Sequence, residues 1–134
     1  MELGLTYKHQ FSFTQNQVND FAKVSGDTNP LHLDEAFAAT TPFKKPIMHG
    51  FLGGSIFSMV LGTKFPGEGS VYLKQSMEFL RPMYVDNSYE AIFTVKEIDI
   101  AKNRALIETK IVDLQTGKVT IVGEALIMNK EQIK

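Results

Sequence analysis

The sequence predicts an α+β fold, a curved antiparallel sheet of five strands wrapped around one central apolar helix. Three observations carry this. Met48 to Leu61 (MHGFLGGSIFSMVL) is apolar or small on every side, the pattern of a helix buried in the middle of a domain. From Ser70 onward the chain is rich in Val, Ile, Tyr, Phe and Thr, which fit a pleated, half-buried surface. The connections between those segments are short, which makes sequential strands antiparallel neighbours.

Taken in order, Tyr7 to Phe13 alternates well enough for a first strand. Thr14 then offers an N-cap, and Gln17 three residues on completes a capping box. Val18, Phe21, Ala22 and Val24 or Ser25 recur at helical spacing, so a short amphipathic helix runs to about Ser25 and ends at Gly26. The stretch to Pro46 is broken by Pro30, Pro42 and Pro46 and reads as an overhanging loop. One or two helical turns fit at Asp34 to Thr40, where Asp34 can cap. Loops of this length in compact domains are functional or disordered, and Leu33, Phe37 and Phe43 give this one a means of packing down.

In the apolar helix, Gly50, Gly53 and Gly54 each cost up to about 1 kcal/mol relative to alanine. Their presence implies that a sheet, a partner chain or a ligand approaches closely. The remaining strands are Ser70 to Leu80, Ser88 to Ile100, Arg104 to Leu114 and Lys118 to Met128, joined by RPMYVDN, DIAKN and the tight hairpin QTGK. Tyr89, Ala91, Phe93 and Val95 form one face, and Ala105, Ile107, Thr109 and Ile111 a second. Val119, Ile121, Gly123, Ala125 and Ile127 form a third.

The 134 residues are expected to form one domain, 1–134, with no repeat or linker to divide them. Fourteen basic residues nearly balance fifteen acidic ones, so charge gives no case for nucleic acid or an anionic membrane as partner. The lack of cysteine excludes disulfides, thiolate metal sites and a cysteine nucleophile. The N-terminus lacks the charged start and apolar core of a signal peptide, and no apolar run reaches a membrane span. A cytoplasmic protein is the expectation.

Most of the possible chemistry lies between Gly26 and Gly50. Asp27, Asn29 and His32 form D-x-N-P-x-H, and His49-Gly50 opens the apolar helix. A carboxylate and an imidazole five residues apart, braced by a proline, suit an acid/base pair on a rigid loop. Each residue also has a plainer reading. Asp27 fits an Asx turn, Asn29 a loop brace before Pro30, and Ser58 a hydroxyl satisfied one turn back on its helix. His49 reads as structural or supporting, and His9 as a surface residue. Asp27, His32, Asp34 and His49 include the donors of a zinc or iron centre, but no pairing such as H-x-x-x-H supports one. No metal and no cofactor are expected.

The segments GDTNPLHLDEAFAATTPFKKPIMHGFLGGSIFS and PGEGSVYLKQSMEFLRPMYVDN closely resemble the MaoC-like (R)-specific enoyl-CoA hydratases. The similarity runs from about Phe11 to Ile127 and is densest from Val24 to Asp86. The resemblance implies a hot-dog fold, a homodimer with two sheets joined edge to edge, and an acyl-CoA thioester as substrate. It also implies that Asp27 and His32 are catalytic and that the Gly50 N–H belongs to an oxyanion hole. Asn29 and Ser58 match residues that the family places at the site. The glycine-rich GFLGGS departs from the pattern close to the acyl pocket.

Hydrating an enoyl thioester needs a base for the water that attacks C3, an acid for C2, and donors for the enolate-like oxygen. The reading is Asp27 as base and His32 as acid, with the order not fixed by sequence. Gly50, at the helix start, has an N–H with no partner inside the helix, and no Cβ to hold a thioester away. A 3-hydroxyacyl dehydratase acting on acyl carrier protein is the near alternative. A hot-dog thioesterase is disfavoured because Met48 to Leu61 contains no carboxylate. A non-catalytic acyl-CoA-binding module is disfavoured because a pure binder gains nothing from a polar dyad in an apolar tunnel.

Overall fold

The computed structural model describes residues 1–134. Strand β1 (Thr6–Phe11) leads through Thr14 into helix α1 (Gln15–Ser25). The capping box is made as expected: the Thr14 hydroxyl accepts from the Gln17 N–H, and Gln17 Oε1 accepts from the Thr14 N–H at 2.9 Å. Gly26 ends α1 in the left-handed conformation at φ 79°, which glycine adopts without a Cβ penalty. Two short helices follow, α2 (Pro30–Leu33) and α3 (Glu35–Ala39), and then the central helix α4 (Gly50–Thr63). Strands β2 (Val71–Gln75), β3 (Glu78–Phe79), β4 (Tyr89–Asp99), β5 (Arg104–Asp113) and β6 (Val119–Met128) complete the chain. No helix is long and apolar enough to cross a membrane.

The strands form one antiparallel sheet in the order β1-β4-β5-β6-β2, with β3 also paired to β6. Its inner face is the one that alternation marked. Tyr89, Ala91, Phe93 and Val95 are buried, with Ala105, Ile107, Thr109 and Ile111 beside them and Ile121, Ala125 and Ile127 beyond. Leu52, Ile56, Phe57, Val60 and Leu61 of α4 join the same core cluster, and the Phe57 and Phe93 rings meet edge to face at 5.8 Å. This is the sheet-around-helix packing that the sequence predicts.

The sheet differs from the expectation in one respect. The strand expected over Ser70 to Leu80 is two strands, so the sheet has six. Register is unchanged across the gap, because Gln75 faces Ala125 and Glu78 faces Val122. At Ser76 the hydroxyl, rather than the carbonyl, accepts from the Glu124 N–H. The freed Ser76 carbonyl lies over Gly123, 1.8 Å from where a Cβ would stand. Only glycine admits that approach.

The α4 glycines are explained the same way. A Cβ at Gly50 would stand 2.5 Å from Cε1 of Phe79, and one at Gly54 2.7 Å from Sδ of Met77. One at Gly53 would press on Met83 and Ile121. The close neighbour is the chain's own strand segment, seated on the helix. Contrary to the expectation of burial on all sides, α4 shows an exposed stripe of Phe51, Ser55 and Ser58.

Candidate active site

Helix α2, a single turn not anticipated from sequence, positions His32. Asn29 caps it by accepting from the Leu31 N–H at 3.0 Å, and Pro30 occupies the first position, where a missing N–H costs nothing. The brace role anticipated for Asn29 is thus what its side chain does. Asp34 caps α3 by accepting from the Ala36 and Phe37 N–H groups, which takes it away from the site.

Asp27 is exposed and makes the Asx turn, its Oδ1 accepting from the Asn29 N–H at 3.3 Å. Its carbonyl lies 2.9 Å from Nε2 of His49, so that nitrogen carries the proton and donates. His32 Nδ1 lies 2.8 Å from the Ile47 carbonyl and must likewise donate. In neutral His32, therefore, Nε2 holds the lone pair. The His32 and His49 rings stack at 3.9 Å with planes 33° apart, and Phe21 meets His49 edge to face at 4.9 Å. His49 is only 2% exposed, and its Nδ1 is buried with no hydrogen-bond partner.

Burial is the chief cause that holds His32 below its ordinary value of 6.5. The Ile47 hydrogen bond opposes this, His49 adds to it, and Asp27 opposes it more weakly. Asp27, His32 and His49 offer polar atoms all within 4.8 Å of one another. Those are ligand types for a metal, but the rings are arranged for face contact, not for two in-plane lone pairs meeting on one ion.

Beside this group lies a cleft of about 380 Å³, lined by His32, Gly50, Phe51, Phe79, Arg81 and Met83 among others. Gly50 is the first residue of α4, and its N–H has no carbonyl one turn earlier to bond. The Phe79 ring packs directly on Gly50. Asp27, His32, His49 and Gly50 are thus assembled in one place, with Asn29 as the loop's brace. Ser58 is not brought there, since it lies two turns along α4 on the exposed stripe. Ser55 instead makes the bond one turn back, to the Leu52 carbonyl.

Sequence reasoning missed Ile47 and Phe79. The first acts through a backbone carbonyl, which leaves no mark on residue type. The second had a signal in Gly50, whose missing Cβ leaves room for a close neighbour, here the Phe79 ring.

The family model for the MaoC-like domain matches residues 2–116. The chain is 42% identical to an (R)-specific enoyl-CoA hydratase from Aeromonas caviae over 127 residues, 95% of this chain and 94% of that one. It is 37% identical to a 3-hydroxybutyryl-CoA dehydratase from Methylorubrum extorquens, over 95% of this chain and 80% of that one. Among solved structures, an (R)-hydratase from A. caviae superimposes with a TM-score of 0.92 at 41% identity, over 96% of this chain and 97% of the other.

Proposed function

This chain belongs to the MaoC-like domain family, and from that premise we propose that it is an (R)-specific 2-enoyl-CoA hydratase. It adds water reversibly across the C2–C3 double bond of an enoyl thioester to give the (R)-3-hydroxyacyl thioester. One observation carries this reading. Asp27 and His32 meet beside a mostly apolar cleft whose wall includes the unpaired N–H of Gly50.

The tautomer of His32 sharpens the division of labour. Nδ1–H is committed to Ile47, so the neutral ring has no proton on Nε2 to give and serves as the base. It takes a proton from water as the water oxygen attacks C3. The resulting imidazolium returns that proton to C2, and charge on the thioester oxygen rests on the Gly50 N–H. The Asp27 carboxylate accepts the water's second O–H and offsets the imidazolium charge. In this account both proton steps fall to His32, whereas the sequence reading divides them between Asp27 and His32. His49 holds the Asp27 loop and stacks on His32, and Ser58, exposed two turns along α4, takes no part in the step.

The functional unit is a homodimer joined through the β2–β3 edge, whose apolar side chains are exposed in the single chain. A carrier-protein thioester is the alternative substrate.

The test follows loss of the enoyl absorbance of crotonyl-CoA with purified protein. Asp27→Asn and His32→Gln should each lower turnover at least about a hundredfold with the fold intact. Full activity in either variant sinks the dyad, and release of free thiol points to thioester hydrolysis instead.

A further inference from the structure

His49 is a misfit by the rules of local stability. It stands immediately ahead of α4, in the cap position, where Ser, Thr, Asp or Asn would accept a hydrogen bond from the first turn. Its side chain makes no such bond. The ring is 2% exposed, yet Nδ1 is buried with no partner, and a buried polar atom left unpaired costs free energy. A phenyl ring would fill the space without that loss, and an aspartate would cap the helix. A residue that breaks two local rules is expected where the chemistry uses it.

Two contacts give the ring its use. Nε2–H donates to the Asp27 carbonyl at 2.9 Å, which ties the loop carrying the Asp27 carboxylate to the start of α4. One face lies on His32 at 3.9 Å, and Phe21 of α1 meets the ring edge to face at 4.9 Å. His49 thereby covers one face of the His32 imidazole, and burial is what chiefly holds His32 below 6.5. A proton on Nδ1 of His49 would find no acceptor, so the proton taken from the substrate water stays on His32. Around His32 the other charged or titratable groups are Asp27, from the loop after α1, and Arg81, which lines the same cleft from between β3 and β4. Asp34, two residues on, is engaged as the cap of α3. From α1 comes the uncharged Gln15, whose Nε2 donates to the His32 carbonyl at 3.2 Å.

We propose that His49 is a positioning residue of the reaction with two separable duties. Its Nε2–H sets the Asp27 loop, and its ring face covers His32 and keeps bulk water from protonating the base. The inference rests on the hydratase reading and adds to it the group that keeps the base ready. One side chain serves both duties because imidazole combines a flat face with an N–H at its edge. That combination explains why neither phenylalanine nor a capping residue stands at position 49.

The test separates the duties with two variants. His49→Phe keeps the face and removes the N–H, whereas His49→Gln keeps a side-chain N–H within reach of the Asp27 carbonyl and removes the ring. His49→Asn is a second ring-free variant, should the glutamine not fold. Turnover of crotonyl-CoA is followed from pH 5 to 8, and the His32 Cε1–H resonance is titrated by NMR without substrate. The His32→Gln spectrum assigns that resonance among the three histidines. In His49→Gln the His32 midpoint should rise toward 6.5, and the ratio of kcat/KM at pH 8 to that at pH 6 should grow at least about twofold. In His49→Phe the midpoint should stay at the wild-type value while kcat on the plateau falls at least about tenfold, because the Asp27 loop is no longer held in place. An unmoved midpoint in the ring-free variants overturns the covering duty, and wild-type kcat in His49→Phe overturns the holding duty. Equal loss of rate in both variants with no change in the titration would reduce His49 to packing alone and overturn both. Failure of wild type to hydrate crotonyl-CoA would remove the hydratase reading, while the NMR titration would still decide whether His49 covers His32.

Discussion

The Ile47 carbonyl fixes the proton on His32 Nδ1, and the Asp27 carbonyl fixes it on His49 Nε2. Protonating His32 in the fold therefore means adding charge to a ring held below 6.5 chiefly by burial. The sign follows. A base must be neutral, so hydration should be at its plateau at neutral pH and fall on the acid side with an apparent pKa below 6.5. A kcat/KM profile that instead declines from pH 6 to 8 would assign His32 to the acid role. Stability should follow the same group, because the unfolded chain binds this proton more readily. That contribution is complete above 6.5 and is lost as pH drops through 6.5 toward the lowered value. Urea unfolding at pH 7.5 and 5.5 should show a larger acid loss in wild type than in His32→Gln, and equal losses would refute it. At Gly50, Gly50→Ala sets a methyl against the half-exposed Phe79 ring, which can swing aside at a cost of about 1 kcal/mol. Hydration should fall at least about tenfold, because the Cβ holds the thioester away from the N–H. Gly50→Ala/Phe79→Ala should regain the stability and not the rate. Recovery of both would mean that Gly50 serves only to seat Phe79. Asp27, His32 and Gly50 stand out in the sequence because the chemistry proposed for them depends on residue type, whereas the Ile47 carbonyl would be present with almost any residue there.

Among the elements, legibility followed locality. Thr14, Gln17 and Gly26 delimit α1 through bonds spanning three or four residues, and a short window of sequence contains all of that information. Thr14→Ala should cost about 1 kcal/mol in thermal or urea unfolding, with activity unchanged. Helix α2 escaped notice because four residues are too few for periodicity, and its start depends on the Asn29 cap and Pro30. The break between β2 and β3 escaped because it is a tertiary event. Val71 to Phe79 has strand composition, and what interrupts it is the Ser76 carbonyl turned over Gly123, 47 positions away. In the sequence Gly123 looks like a weak spot in β6, and in the fold it is the residue that allows β3 to lie on α4. Gly123→Ala should therefore cost several times the ordinary penalty of a strand substitution, about 2–4 kcal/mol. It should also loosen Met77 and Phe79 from the α4 glycines, raising amide exchange across Ser76 to Leu80. A loss within about 0.5 kcal/mol would show that the Ser76 carbonyl relocates easily.

For the whole molecule, the question is why a chain with so complete an inner core leaves so much apolar surface outside. Val71 is 47% exposed, Phe79 49%, Leu80 48% and Phe51 66%, and all lie along β2–β3 or the uncovered stripe of α4. Strand β2 ends the sheet order, and its free edge presents unpaired backbone groups. Native chains rarely leave such an edge bare and apolar. A second copy related by a two-fold axis satisfies both demands at once, pairing β2 with its equivalent and covering Phe51, Leu80 and the α4 stripe. In that arrangement the cleft lined by Phe51 and Phe79 would lie at the junction of the two copies, which would couple assembly to turnover. Sedimentation at micromolar concentration should give twice the 15.0 kDa chain mass. Val71→Glu/Leu73→Glu should weaken association at least about a hundredfold by placing charges in the joint. Its specific activity should fall with dilution while wild type holds steady. The double variant should keep its inner core, because neither side chain belongs to the buried cluster, and its far-ultraviolet dichroism should match wild type. A chain that sediments at the monomer mass with full hydratase activity would sever assembly from function and leave the apolar edge without this explanation.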